Sequence, residues 1–151
     1  MKVFSASQIK AIDQYTIENE PIESVELMER ASRTLARWVR KRFSKKQDFV
    51  FIAGQGNNGG DAWALARLLF HYGYENIRFF LLGSVDNISP DSVLNRKRLI
   101  NEANIRVQLI NSEKDFPYLS EDDWVIDGIF GSGLSRPLEG LAAEVVRYIN
   151  N

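Results

Sequence analysis

The spacing of apolar residues divides the chain into a helical first third and a remainder that alternates between strands and helices. Ile9, Ile12 and Tyr15 fall on one side of a segment that Ser7 caps and that runs to about Glu18, where Pro21 interrupts it. Ser24 opens a longer helix reaching about Phe43. On it Met28, Ala31, Leu35, Trp38, Val39 and Arg42 recur at helical spacing and form one almost wholly apolar side. Arg30, Arg33, Arg37, Arg40 and Lys41 fill the other side. Glu23, Glu26 and Glu29 precede these bases, the order that the helix dipole favours.

From Asp48 the pattern changes. Phe49-Val50-Phe51-Ile52-Ala53 is a continuous apolar run closed by Gly54, as expected of a strand covered on both faces. A helix is expected from about Asp61 to Tyr72, with Gly73 beyond its end. Ile77–Leu82 forms a second strand, about Ser92–Ala103 a helix, and Ile105–Ile110 a third strand. Trp124–Asp127 forms a fourth, and about Glu139–Ile149 a closing helix. Strands separated by helices imply parallel β-α-β units. The expected class is α/β, a three-layer Rossmann-like sandwich with a mostly parallel sheet. Its usual winding sets the first strand beside the fourth, and ligands bind beyond the strand ends at that reversal. The loops after strands one and four are therefore the ones to inspect.

Composition narrows the chemistry. The 151 residues suit one domain. Nineteen basic against twenty acidic residues give a net charge of -1, which argues against nucleic acid as partner and makes the basic helix side a solvated face. There is no cysteine, hence no disulfide and no thiolate metal site, and His71 is the single histidine. No apolar run approaches the ~20 residues that cross a bilayer. The start of the chain turns polar at once, without a signal-peptide core. The expectation is a cytoplasmic protein with no membrane partner. Trp38, Trp63 and Trp124 are expected in the core.

The first loop is Gly54-Gln55-Gly56-Asn57-Asn58-Gly59-Gly60-Asp61. Four glycines in seven residues allow close approach of backbone to a ligand and positive φ. Amides at the following helix start would face that ligand. A carboxylate at Asp61 would repel a phosphate, and asparagine oxygens accept from hydroxyls or bind hard cations. The plainer alternative is a tight turn with left-handed asparagine and Asp61 as helix cap. The second loop, Asp127-Gly128-Ile129-Phe130-Gly131-Ser132-Gly133-Leu134-Ser135-Arg136-Pro137, follows the fourth strand. A carboxylate at a buried strand end needs a hydrogen bond or a cation. Arg136 suits a phosphate, with an ordinary surface arginine as the alternative, and Pro137 helps start the next helix.

Together the two loops resemble those of the YjeF N-terminal domain family, the NAD(P)H-hydrate epimerases. Ala66-Arg67, and Pro21-Ile22 followed by Leu27-Met28-Glu29-Arg30-Ala31, extend the likeness over the whole chain. The resemblance implies an enzyme that interconverts the two epimers of hydrated NADH and NADPH, so that a dehydratase acting on one epimer, fused or separate, clears both. It implies a potassium ion held by Asn58 and Asp127. It also implies substrate contacts at Asn57, Asn58, Gly59, Gly60 and Asp61, and at Gly131, Ser132, Gly133, Leu134, Ser135, Arg136 and Pro137. Asp127 is the expected acid/base residue.

Two departures stand out. Ala62 replaces a usual glycine, which a negative φ would tolerate. The family's further strand, with another aspartate and another potassium ligand, has no counterpart in Leu138–Asn151. Residues 1–151 are therefore expected to be a C-terminally truncated YjeF N-terminal domain, with apolar surface open to a homodimer contact. Two other readings remain. One is a non-catalytic scaffold of the same family. The other is a small NAD-dependent oxidoreductase, whose ribose contact would be Asp86.

Overall fold

A computed structural model describes residues 3–135 and 137–151. In chain order the elements are α1 (Ala6–Asn19), α2 (Ser24–Arg40), β1 (Asp48–Ala53), α3 (Asn57–His71) and β2 (Ile77–Leu82). They continue with α4 (Pro90–Ala103), β3 (Val107–Ile110), β4 (Asp123–Gly128) and α5 (Gly140–Ile149). Short 3-10 turns at Val85–Asn87 and Glu113–Asp115 were not anticipated from the sequence. The four strands form one parallel sheet in the order β3-β2-β1-β4. β1 thus lies between β2 and β4, the neighbours that the winding rule requires.

The two faces of β1 supply two cores. Phe49, Phe51 and Ala53 point to one side, where α3 packs with α2 and α4 around it. Val50 and Ile52 point to the other, joined by Phe80, Ile110, Ile129 and Val145 of α5. A strand that must be apolar on both faces has no reason to alternate, which explains the unbroken run in the sequence. α3 is the most enclosed helix. Trp63 in its second turn is fully buried and stacks on Phe79 with ring centroids 4.0 Å apart. Gly73, at φ 84°, turns the chain beyond the end of α3.

Three expectations need correction. The buried line on α2 is Val25, Met28, Ser32, Ala36 and Val39, rotated from the apolar stripe, and Leu35 is left 45% exposed. The reason is that α2 packs on another helix, α3, and small residues at 32 and 36 permit close approach. Trp38 and Trp124 are likewise half exposed, each leaning on Phe43, so only Trp63 is a core tryptophan. Finally, Ser5 caps α1 in a reciprocal pair with Gln8, two residues before the expected Ser7. The basic side of α2 is engaged locally: Arg30 pairs with Glu20, Arg33 with Glu29, and Arg40 lies over the Tyr72 ring. No helix among the described residues is long and apolar enough to cross a membrane.

Candidate active site

The two glycine-bearing loops meet because their backbones touch. A Cβ on Gly59 would stand 2.0 Å from the carbonyl oxygen of Gly54, and one on Gly54 would stand 2.0 Å from that of Ile129. Neither position admits a side chain. The start of α3 is thereby pressed onto the end of β1, and the end of β1 onto the second loop. Positive φ has no part in this. Among the described residues Gly73, Gly83 and Gly140 are the glycines at positive φ, and none lies in the first loop. The asparagines are not left-handed either. α3 begins at Asn57, a full turn earlier than expected, with Gly56 at its N-cap and no side chain capping it. Ala62 sits inside this helix, outside the positive-φ region.

The uncapped first turn of α3 opens on a cavity of about 1250 Å³ at the carboxyl ends of the strands. Its floor is the first loop from Gly54 to Asn58, with Asp61 beside it. One wall is the second loop, from Ile129 to Ser135. Gln55 ties the floor to the far side: its Nε2 donates to the Ser84 carbonyl at 2.9 Å, and its own carbonyl accepts from Ser89 N–H at 2.8 Å. Ser92 Oγ adds a bond to the Gly56 carbonyl.

Asn58 joins floor and wall. Its Nδ2 donates to the Phe130 carbonyl at 2.9 Å, and its Oδ1 has no donor among the described residues. Close approach of Gly131 to the Asn58 side chain keeps the two loops in register. Asp61 is half-buried, and its carboxyl has no hydrogen-bond partner among the described residues. Its backbone carbonyl accepts from Ser32 Oγ at 3.5 Å. Burial pushes its pKa up to about 6, and the neighbouring charges of Asp13 on α1 and Asp91 on α4 push the same way.

Asp127 stands off the cavity lining, at the base of the second loop. It lies on β4, which among the described residues pairs with β1 alone, and it is exposed rather than buried. Its Oδ1 accepts from Ile129 N–H at 2.9 Å, and Asp127 is not among the residues that line the cavity. The cost of a buried carboxylate, which drew attention to it in the sequence, does not arise there. Asn57, Asn58, Asp61 and Gly131–Ser135 are brought together on the cavity. Gly59 and Gly60 serve packing: a Cβ on Gly60 would strike Met28. Arg136 lies outside the described residues, and Pro137 is exposed away from the cavity lining. Asp86 is turned into its own 3-10 turn, accepting from Ser84 Oγ, and does not line the cavity.

Sequence reasoning missed α1. Ala6, Ser7, Ile9, Lys10 and Asp13 line the cavity, although α1 has no buried residue. No local signal marks such a helix, since its apolar positions look like those of any core-facing helix. The ends of β2 and β3, at Leu82–Gly83 and Ile110–Asn111, also contribute. Those follow from topology once the strand order is known.

The YjeF-related protein N-terminus family model matches residues 24–151. Among relatives, an NAD(P)H-hydrate epimerase of Limosilactobacillus fermentum is 34% identical over 149 residues, covering 99% of this chain and 68% of that protein. One from Oenococcus oeni is 36% identical over 148 residues, covering 97% of this chain and 67% of that one. A bifunctional NAD(P)H-hydrate repair enzyme of Thermofilum pendens is 35% identical over 154 residues. That match takes in 99% of this chain but 29% of the enzyme. The crystal structure of yeast ynu0 superposes with a TM-score of 0.83 at 25% identity, over 99% of this chain and 65% of its own. With the two loops meeting at the reversal of strand order, and with matches of this extent, the chain belongs to the YjeF-related N-terminal family.

Proposed function

We propose that this cleft interconverts the R and S epimers of hydrated NADH and NADPH. The observation that carries the reading is the pairing of the Asn57–Asp61 helix start with the Gly131–Ser135 loop around one large cavity. Relatives named for this activity match the chain almost end to end. The substrate is a dinucleotide whose nicotinamide-derived ring carries a hydroxyl on a carbon next to nitrogen. The nitrogen lone pair can expel that hydroxyl as water once it is protonated, leaving an iminium. Water then returns from the opposite face and gives up a proton. The protein must bind the dinucleotide, hold the ring with both faces reachable, and move one proton each way. The uncapped amides at the start of α3 suit the diphosphate.

Potassium takes oxygen donors, and Asn58 and Asp127 would supply two of them. Asn58 Oδ1 is fixed as an acceptor by the bond its Nδ2 makes, and Asp127 supplies carboxylate oxygen. Among the described residues no group of three His, Cys, Asp or Glu side chains forms a metal cluster. Bound between the loops, the ion would supply a fixed positive charge. The placement of Asp127 off the cavity suits a role at the ion and in holding the loop through Ile129 N–H better than acid/base work. In the cytoplasm, the product would pass to a dehydratase specific for one epimer. The bifunctional relatives, longer than this chain, fit such coupling.

The test follows both epimers of hydrated NADPH by chromatography with potassium present. The expected result is an approach to the equilibrium mixture faster than without protein. Equal rates with folded protein would refute the reading. A scaffold of the same family would also bind without accelerating the exchange. An oxidoreductase would instead change the nicotinamide absorbance.

A further inference from the structure

Epimerisation needs a carboxyl that can give and take a proton within the cavity; the lining carries Asp13, exposed on α1, and the half-buried Asp61, while Asp127 stands off it. We propose that Asp61 is the proton-transfer residue: its carboxyl protonates the departing hydroxyl and recovers the proton from the water that returns to the other face. The inference rests on the epimerase reading and names the group that does its chemistry. The step balances. Asp61 loses a proton to the hydroxyl oxygen, the carbon–oxygen bond breaks with release of water, and the ring nitrogen shares its lone pair as an iminium. Water adds to the opposite face, the carbon–oxygen bond re-forms, and the carboxylate takes the proton back. No oxidant, reductant or further reactant enters.

Four observations carry the assignment. Asp61 is on the cavity lining and Asp127 is not. Asp61 is half-buried and its carboxyl has no partner among the described residues, whereas Asp127 is exposed and accepts from Ile129 N–H. The charged groups facing Asp61 from the elements around it are of its own sign: Asp13 from α1 and Asp91 from α4. From α2 the neighbour is neutral Ser32, while Glu29 is taken up by Arg67 and Arg33. Lys10 on α1 is the one basic side chain among the described residues lining the cavity, and it makes no ion pair with Asp61 there. Burial and like charge favour the acid form, consistent with the rise to about 6. A pKa there leaves about one molecule in ten protonated at pH 7, enough to serve as donor while the conjugate base serves as acceptor. The neutral form also removes the repulsion between Asp61 and the diphosphate.

The experiment compares wild type, Asp61→Asn and Asp13→Asn. It measures kcat and KM for hydrated NADPH from pH 5 to 9, with the rate without protein subtracted and folding checked by circular dichroism. In the wild type kcat/KM should fall tenfold per pH unit above about 6. Asp61→Asn should lower kcat by about 100-fold or more with KM within about threefold. Asp13→Asn, which removes one of the like charges facing Asp61, should move the falling limb of the pH profile down by about half a unit. Asp61→Asn within about threefold of wild-type kcat would overturn the assignment and leave the epimerase reading standing. A wild type that accelerates nothing would overturn that reading, and the assignment with it. Should Asp61→Asn fail to fold, Asp13→Asn decides, and an unmoved limb overturns the assignment.

Discussion

The two walls of the cleft are built in opposite ways. The α3 side is held by backbone pressed against backbone, with Gly59 on Gly54, and beneath it a fully buried tryptophan stacked on Phe79. The β4 side is an edge strand with Trp124 half exposed, running into a loop where Gly133 has nothing within 4 Å of a Cβ position. Each wall carries an aspartate, and the walls give them different surroundings. Asp61 is enclosed and faces like charge, while Asp127 is open to solvent and already hydrogen-bonded. Residue type alone therefore does not assign the chemistry. The rigidity and burial of the wall that holds each carboxyl decide what it can do.

Breaking the tight wall should cost most. Gly59→Ala or Gly54→Ala drives a methyl into a carbonyl oxygen, and a loss above about 4 kcal/mol, or failure to fold, is expected in urea denaturation. Gly133→Ala on the opposite wall should stay within about 0.5 kcal/mol of wild type. If both glycine classes behaved alike, the contrast between the walls would be gone. The tryptophans repeat the contrast one layer down. Trp63→Ala should lose about 3–5 kcal/mol. Trp124→Ala, half exposed against Phe43, should lose roughly 1 kcal/mol, read from the same transitions.

Next in size is a pH effect. Between the ordinary aspartate value of 3.8 and about 6, the folded chain holds a proton on Asp61 that the unfolded chain has released. Stability should therefore fall as pH rises through that window, and the penalty should persist above it. Asp61→Asn should raise stability at pH 8 by on the order of 2–3 kcal/mol, less whatever solvent screens, and should change little at pH 3.5. A variant less stable than wild type at pH 8 would show that Asp61 has a partner the cavity does not reveal. The smallest effect belongs to the open wall. Asp127→Asn should leave the fold intact and raise the potassium concentration needed for half-maximal rate by about tenfold or more, since losing even outer-shell partners of a metal costs that much. An unchanged potassium requirement would remove Asp127 from the ion site.

The same contrast explains what was legible in the sequence. The unbroken run Phe49–Ala53 declared a strand covered on both faces, and the alternation of strands and helices declared the parallel sheet and the neighbourhood of β1 and β4. The glycine and asparagine loop was recognisable as a site because mere turns rarely need such density. Its geometry was not legible. Glycine serves positive φ and close packing equally well, and only the three-dimensional approach of Gly54 to Ile129 distinguishes them. The burial of an aspartate is likewise a property of its neighbours. Asp61 is pressed by Asp13 and Asp91, far away in the chain, and Asp127 is exposed on a strand that pairs with β1 alone among the described residues. The face of α2 was misplaced for a related reason. Small Ser32 and Ala36 meet α3, while larger Leu35 and Trp38 remain partly outside.

Loss and return of the hydroxyl inside this cleft is tested most directly by running the epimer interconversion in water enriched in oxygen-18 and analysing each separated epimer by mass spectrometry. The expected result is one labelled oxygen in the converted epimer, gained at the rate of interconversion and faster than without protein. Catalysed interconversion that leaves the hydroxyl unlabelled would contradict the account, because the oxygen would then never have left the ring.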